Sequence, residues 1–222
     1  MNDLFKIIRQ EPQSLLPEIS LRAWMHFYGG YRHRRLEDQG SFAPAFDRMD
    51  FHRWLCDRFQ ILYASPIADV SIVSSFFLSE ETAFYKYFDL LEEYLRSQEA
   101  KSPDVYVFSG EKEGFAGLVR GARKCPAMYI GSQTFLGFCS MLMGDIFATV
   151  EMGSDFDAGQ LLFIKFQKWV EATKNHSEQF RHWFKIVNFW SIDDHSAYTL
   201  FCAWLDEFSK EAGNPDIFRS PA

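Results

Sequence analysis

The chain repeats itself at a spacing of 114 residues, and this constrains its fold more than any other feature. Sliding the sequence along itself pairs Leu4 with Leu118, Arg9 with Arg123, Pro12 with Pro126 and Gly30 with Gly144. After a slip of one residue Phe51 meets Phe166 and Trp54 meets Trp169. The first register then returns, matching Ile72 and Val73 with Ile186 and Val187, Ala83 with Ala197, Leu91 with Leu205 and Glu93 with Glu207. A chain with such self-similarity is expected to be two copies of one structural unit. The expected organisation is unit 1 over residues 1–98, a linker over 99–116, unit 2 over 117–212 and a tail over 213–222.

Within each unit the apolar positions fall at helical spacing. Phe84, Phe88, Leu91 and Leu95 form one stripe, and Tyr198, Phe201, Leu205 and Phe208 form its counterpart. Ser79 followed by Glu80 and Glu81 marks the start of the first of these helices, because a hydroxyl caps free N–H groups and carboxylates suit the positive helix end. Asp193 and Asp194 do the same for the second. Lys210, Gly213 and Pro215 stand in the order expected at a helix C-terminus. The same reading predicts principal helices at 18–36, 46–60, 66–77 and 79–97, then at 132–149, 159–174, 177–190 and 193–211, with short helical turns at 3–10 and 113–123. The segment 104–109 alternates apolar and polar, but no partner strand is apparent. The fold class is therefore all-α: an internal duplication of a four-helix unit, packed as one globular domain with approximate twofold pseudosymmetry through its aromatic stripes. The 24 Phe residues and an aromatic content of 18% supply the bulky side chains that such packing needs.

Composition excludes some classes of function. A net charge of −7, spread evenly over the two units, argues against a nucleic-acid binder, which needs a basic face, and is compatible with a basic protein partner. No apolar run approaches the roughly 20 residues of a membrane span, and charges interrupt the N-terminus where a signal peptide requires an apolar stretch. A cytoplasmic location without membrane contact is expected. Cys56, Cys125, Cys139 and Cys202 show no CxxC spacing, so neither disulfides nor zinc are expected. His52 and Cys56 stand four apart on one helix, but two ligands do not make a metal site.

Two connections are longer than chain closure requires, and binding residues concentrate in such segments. They are 37–45 (EDQGSFAPA) and 150–158 (VEMGSDFDA). Both carry Gly-Ser followed by Phe, and both carry acids: Glu37 and Asp38 in one, Glu151, Asp155 and Asp157 in the other. These five are the candidate partner-binding residues. The one basic cluster, Tyr31 to Arg35, suits a helix C-terminus, and the matched Glu93 and Glu207 suit structural ion pairs.

Two resemblances emerge. Residues 123–131 (RKCPAMYIG) resemble the segment near the start of the ATPase domain of type II topoisomerase B subunits. The magnesium-binding Asn helix and the glycine loop of that family do not follow, so this likeness ends after nine residues, with Met128 to Ile130 expected to dock the next helix. The wider pattern joins Arg123 to Gly131 with Phe166 to Val170 and Ala197 to Phe208, echoed by Phe51 to Leu55 and Ala83 to Tyr94. It resembles small all-helical bacterial proteins associated with secreted polymorphic toxins. That resemblance implies an immunity protein, without cofactor, metal or catalytic residues, which neutralises a cognate protein toxin by binding it. The alternative is a small-molecule or nucleotide-binding enzyme or sensor with a pocket between the units, using Arg123 and the Tyr31 to Arg35 cluster. A third is an adaptor or homo-oligomeric scaffold.

Overall fold

The computed structural model describes residues 3–63, 68–97, 104–131, 133–175, 180 and 182–219. The part of the expected linker at 99–103, the start of the helix expected at 177 and the last three residues of the tail lie outside these. The described chain is all-α apart from one small sheet. Its helices are α1 (Asp3–Gln10), α2 (Pro12–Leu15), α3 (Leu21–Gln39), α4 (Arg48–Phe59), α5 (Asp69–Phe76), α6 (Glu80–Ser97), α7 (Gly114–Lys124), α8 (Pro126–Ile130), α9 (Phe135–Met152), α10 (Ala158–Thr173), α11 (Trp183–Phe189) and α12 (Asp194–Glu211).

The ends of these helices follow from local chemistry. Ser20 accepts from the Ala23 amide and starts α3, while Asp157 and Asp193 each close a reciprocal capping box, starting α10 and α12. Pro12 and Pro126 sit in the first turns of α2 and α8, where the missing N–H costs nothing. Gly40 and Gly153, both left-handed, end α3 and α9. The two helices end three residues beyond the expected ends, which corrects the expected connections: Glu37, Asp38 and Glu151 stand on helices, and only Asp155 and Asp157 belong to the segment between α9 and α10.

The segment 104–109 does have a strand partner. β1 (Ser41–Phe42) and β2 (Tyr106–Val107) pair antiparallel, with Ser41 opposite Val107 and Phe42 opposite Tyr106. The chain after Gly40 is itself extended, and it supplied the pairing edge that spacing alone did not reveal.

α3 and α9 lie side by side and parallel along the centre. Gly137 abuts His26, Gly30 abuts Met141, Phe27 abuts Gly144 and His33 approaches Asp145. The approach is so close that a Cβ on Gly30 would lie 1.9 Å from the Met141 carbonyl oxygen, and one on Gly144 would lie 1.9 Å from that of Phe27. Around this pair are two apolar cores. One gathers α1 to α6 with Ala148, the other α7 to α12 with Phe218 from the tail. α9 is long and apolar enough to cross a membrane, and 61% of that stretch is buried inside the protein.

The aromatic stripes do not form the seam between the halves, contrary to expectation. Phe51 stacks on Trp54 at 6.1 Å and Phe166 stacks on Trp169 at 6.1 Å, each inside its own half. Trp54 is shielded by Tyr94 and the Arg58 guanidinium, Trp169 by Phe208 and the Lys174 ammonium. At the seam Gly30 and Gly144 let the two helix backbones meet, because they approach this closely only where side chains are absent, while Phe27 and Tyr31 pack on Phe147 beside them. Burial of each core Phe contributes on the order of 2 kcal/mol.

Candidate functional site

Because α3 and α9 run parallel, their C-terminal ends meet at one end of the molecule, and the two acidic segments converge there. Arg34, buried in α3, is their hub. Its Nε donates to Asp38 at 3.1 Å and its Nη1 to Asp157 at 2.8 Å. Glu37 is buried, and its carboxylate accepts from the backbone N–H groups of Glu113 at 2.9 Å and Gly114 at 3.3 Å, at the start of α7. Asp157 accepts from the Gln160 and Phe115 amides, each at 2.9 Å. Glu151 accepts from the Tyr31 hydroxyl at 2.6 Å and from Arg35 at 2.9 Å. Asp155 is exposed. Arg34, Glu37, Asp38, Glu113, Phe115 and Asp157 line a recess of about 390 Å³ at this end.

The electrostatics follow from these partners. Burial alone would raise the Asp157 carboxyl, but the Phe115 and Gln160 amides and Arg34 outweigh it and hold it below its ordinary value. For Arg34 burial works against the charge, and Asp145, Asp38 and Asp157 reverse that, so the guanidinium stays ionised. Beneath the recess, Gln160 donates from one amide to Asp145 at 2.8 Å and to Thr149 at 2.7 Å, and all three are fully buried. Burial pushes the Asp145 carboxyl up, opposed by His33, Arg34 and Gln160. Its second oxygen has no hydrogen-bond partner and lies 3.5 Å from His33 Nδ1.

Of the five acids expected to face a partner, four therefore hold the fold together and Asp155 alone is free of a described contact role. Asp145 and Gln160 were not singled out in the sequence, and Arg34 stood out there only as part of the basic cluster Tyr31 to Arg35. Two signals pointed to Gln160 and Asp145: Asp157 and Gln160 have capping-box spacing, and Asp145 is a charge in the middle of the apolar α9, whose other charge, Glu151, stands at its end.

Three further clusters bear on chemistry. His52 sits between Asp69, whose Oδ1 is 2.5 Å from Nδ1, and Cys56, whose Sγ is 3.5 Å from Nε2. Arg48 donates to the other oxygen of Asp69 at 3.2 Å. Carboxylate and sulfur occupy opposite nitrogens of one ring, so they do not converge on a metal ion. Among the described residues no group of three or more His, Cys, Asp or Glu fits one. Burial pushes the Cys56 thiol up, followed in effect by Asp57 and Asp69. The thiol is thus protonated at neutral pH, and the cluster ties α4 to α5.

Arg123 grips both oxygens of Asp206 at 2.8 and 3.1 Å and the Phe218 carbonyl at 2.8 Å, and Arg9 grips Asp89 and Glu92. Arg123 is consequently not free for a ligand. In the nine-residue motif Pro126 begins a helix and Ile130 docks, while Met128 is 82% exposed and docks nothing. A second recess, of about 250 Å³, lies between the halves, lined by Gln13, Ser14, Glu18, Met143, His182 and Lys185 among others.

No protein-family model, curated protein or solved structure matches this chain.

Proposed function

We propose that this chain is a toxin-neutralising immunity protein of the cytoplasm: a non-catalytic binder, made by duplicating one helical unit, that covers a basic surface of a cognate bacterial toxin. The observation that carries the reading is the convergence of Glu37, Asp38, Glu151, Asp155 and Asp157 on one end of the molecule. Acids gathered at one end steer a basic partner and raise its association rate. Glu37, Asp38 and Asp157 line the recess itself, and Glu151 and the exposed Asp155 stand on the neighbouring end of α9 and the segment after it.

What supports duplication about an approximate twofold axis is the exchange of partners at constant offset. Gly30 meets Met141 as Gly144 meets Phe27, and Arg9 holds Glu92 as Arg123 holds Asp206. Arg58 pairs with Glu93 and Lys174 with Glu207. On this reading the units are α1 to α6 and α7 to α12, with each four-helix set preceded by two short helices.

The test is co-expression with the toxin domain encoded beside the gene, together with the double variant Asp38→Lys, Asp155→Lys. Wild type is expected to protect the cell, and the variant, assayed below a melting temperature lowered by the loss of the Arg34 partner Asp38, to associate about tenfold more slowly with the purified toxin. Unchanged association would reject the acidic end, and a neighbouring gene for a metabolic enzyme would count against the toxin.

The recess between the halves favours a second reading, a small-molecule sensor. Its apolar floor and the polar groups of Ser14, Glu18, His182 and Lys185 suit a small amphipathic ligand. A thermal-shift screen with nucleotides and metabolites tests it, since a ligand of the folded state raises stability.

A further inference from the structure

Among the described residues the two most exposed large apolar side chains are Leu78, at 108% of its reference area, and Ile192, at 99%. They stand at corresponding places. Leu78 lies in the turn between α5 and α6, and Ile192 in the turn between α11 and α12. Two residues before each is a half-exposed aromatic ring, Phe76 in one turn and Trp190 in the other. Acids follow each, Glu80 and Glu81 after Ser79 in the first and Asp193 and Asp194 directly in the second. One exposed Leu or Ile would be ordinary, but the same aromatic–aliphatic pair recurs, exposed, at the same place in both turns.

The position of the second turn is fixed by contacts. Asp194 accepts from the Leu136 amide at 2.9 Å, so this turn stands at the N-terminal end of α9 and hence of the parallel α3. Glu18, ahead of α3, shares a recess with Leu136 and Ile192 to Asp194. The duplicated-unit reading, on which this inference rests, sets the first turn at the equivalent place. Both tips then project from one end of the molecule, opposite the acidic recess.

We propose that the two turns form a two-pronged docking surface for a twofold-symmetric protein that offers a matching pair of apolar sockets rimmed by lysine or arginine. Each prong supplies an aromatic and an aliphatic anchor at the same spacing, so each fits the same socket, and anchors of this kind carry most of an interface's affinity. The flanking carboxylates select the rim. They repel an anionic bilayer surface, and they would face their own kind in a second copy of this chain.

The probe is a synthetic amphipathic helix with a Leu/Trp face flanked by lysines, used as a monomer and as a covalent dimer joined by Gly/Ser linkers of graded length. The best dimer is expected to bind the full chain at least about tenfold more tightly than the monomer, because the second contact becomes intramolecular. Leu78→Asp or Ile192→Asp alone should return it to monomer affinity, and the double variant should abolish binding. All three variants should keep the wild-type melting temperature, since both side chains lie in solvent. A dimer that gains nothing at any linker length overturns the proposal. So does equal capture of the chain by phosphatidylcholine vesicles, or self-association that the double variant removes. An effect of Ile192→Asp without one of Leu78→Asp overturns the two-pronged surface together with the duplicated unit. The toxin-binding end is judged separately, by Asp38→Lys, Asp155→Lys.

Discussion

Gly30 and Gly144 press against the backbones of each other's helices: each would place a Cβ 1.9 Å from a carbonyl oxygen of the opposite helix of the central pair. No side chain can rotate away from such a contact, because the obstacle is main chain. Relief requires the two helices to part, and with them the two cores they join. Gly30→Ala and Gly144→Ala should each destabilise the protein by about 3 kcal/mol or more, at the upper end of overpacking costs. Gly29, one residue away in the same helix, has nothing within 4 Å of its would-be Cβ. Gly29→Ala should therefore stabilise, by up to about 1 kcal/mol, through helix propensity. Urea denaturation of the three variants checks the contrast, and equal effects at 29 and 30 would refute it.

Asp157 joins three elements, as cap of α10, acceptor for α7 and partner of Arg34. Asp157→Ala is expected to cost at least the ~1–2 kcal/mol of a lost N-cap. The acid is held below its ordinary value in the folded chain, so its contribution is present above the unfolded carboxylate's pKa and is lost as pH falls through the folded one. The stability gap between wild type and Asp157→Ala should shrink on acidification, which unfolding curves at neutral and acid pH will show.

Asp145 has the opposite sign. Its carboxyl is raised by burial, so the folded state holds the proton over a range of pH where the unfolded state has released it. Stability then falls as pH rises through that window, because the buried charge costs more than the buried acid. Asp145→Asn keeps an oxygen for Gln160 and should match or exceed the wild type at pH 7, with a flatter pH profile. Asp145→Leu strands the Gln160 amide and should lose about 2 kcal/mol. Thermal melts across pH decide between these outcomes.

Arg9 and Arg123 hold equivalent acids but at different depths. The Arg123 side chain is 16% exposed, carries a bidentate pair and anchors the tail carbonyl of Phe218, whereas Arg9 is 32% exposed. Arg123→Ala should cost about 3 kcal/mol and loosen the tail, and Arg9→Ala about 1 kcal/mol. Limited proteolysis after residue 212 should accelerate only in the first variant.

Helix identity and helix starts were legible in the sequence because they are local. The stripe through Phe84, Phe88 and Leu91 and the caps Ser79 and Asp193 each act within a turn or two of chain, and the ion pairs expected of Glu93 and Glu207 needed only a cation on the neighbouring helix. Gly30 and Gly144 also stood out in the sequence as matched letters 114 residues apart. What those glycines do was not legible, since a bare Cα has meaning only against the backbone it meets. The acids show the same division. Their presence in two segments was written in the chain, but whether a carboxylate faces a partner or an internal amide depends on what stands opposite it. Glu37 meets the start of α7 and Asp157 meets Arg34 only because α3 and α9 run parallel and bring their C-terminal ends together. Propensity, capping and periodicity are properties of contiguous residues and were set by the sequence directly. The seam between α3 and α9 and the contacts of Glu37 and Tyr31 join residues more than 70 positions apart, and tertiary packing alone decided them.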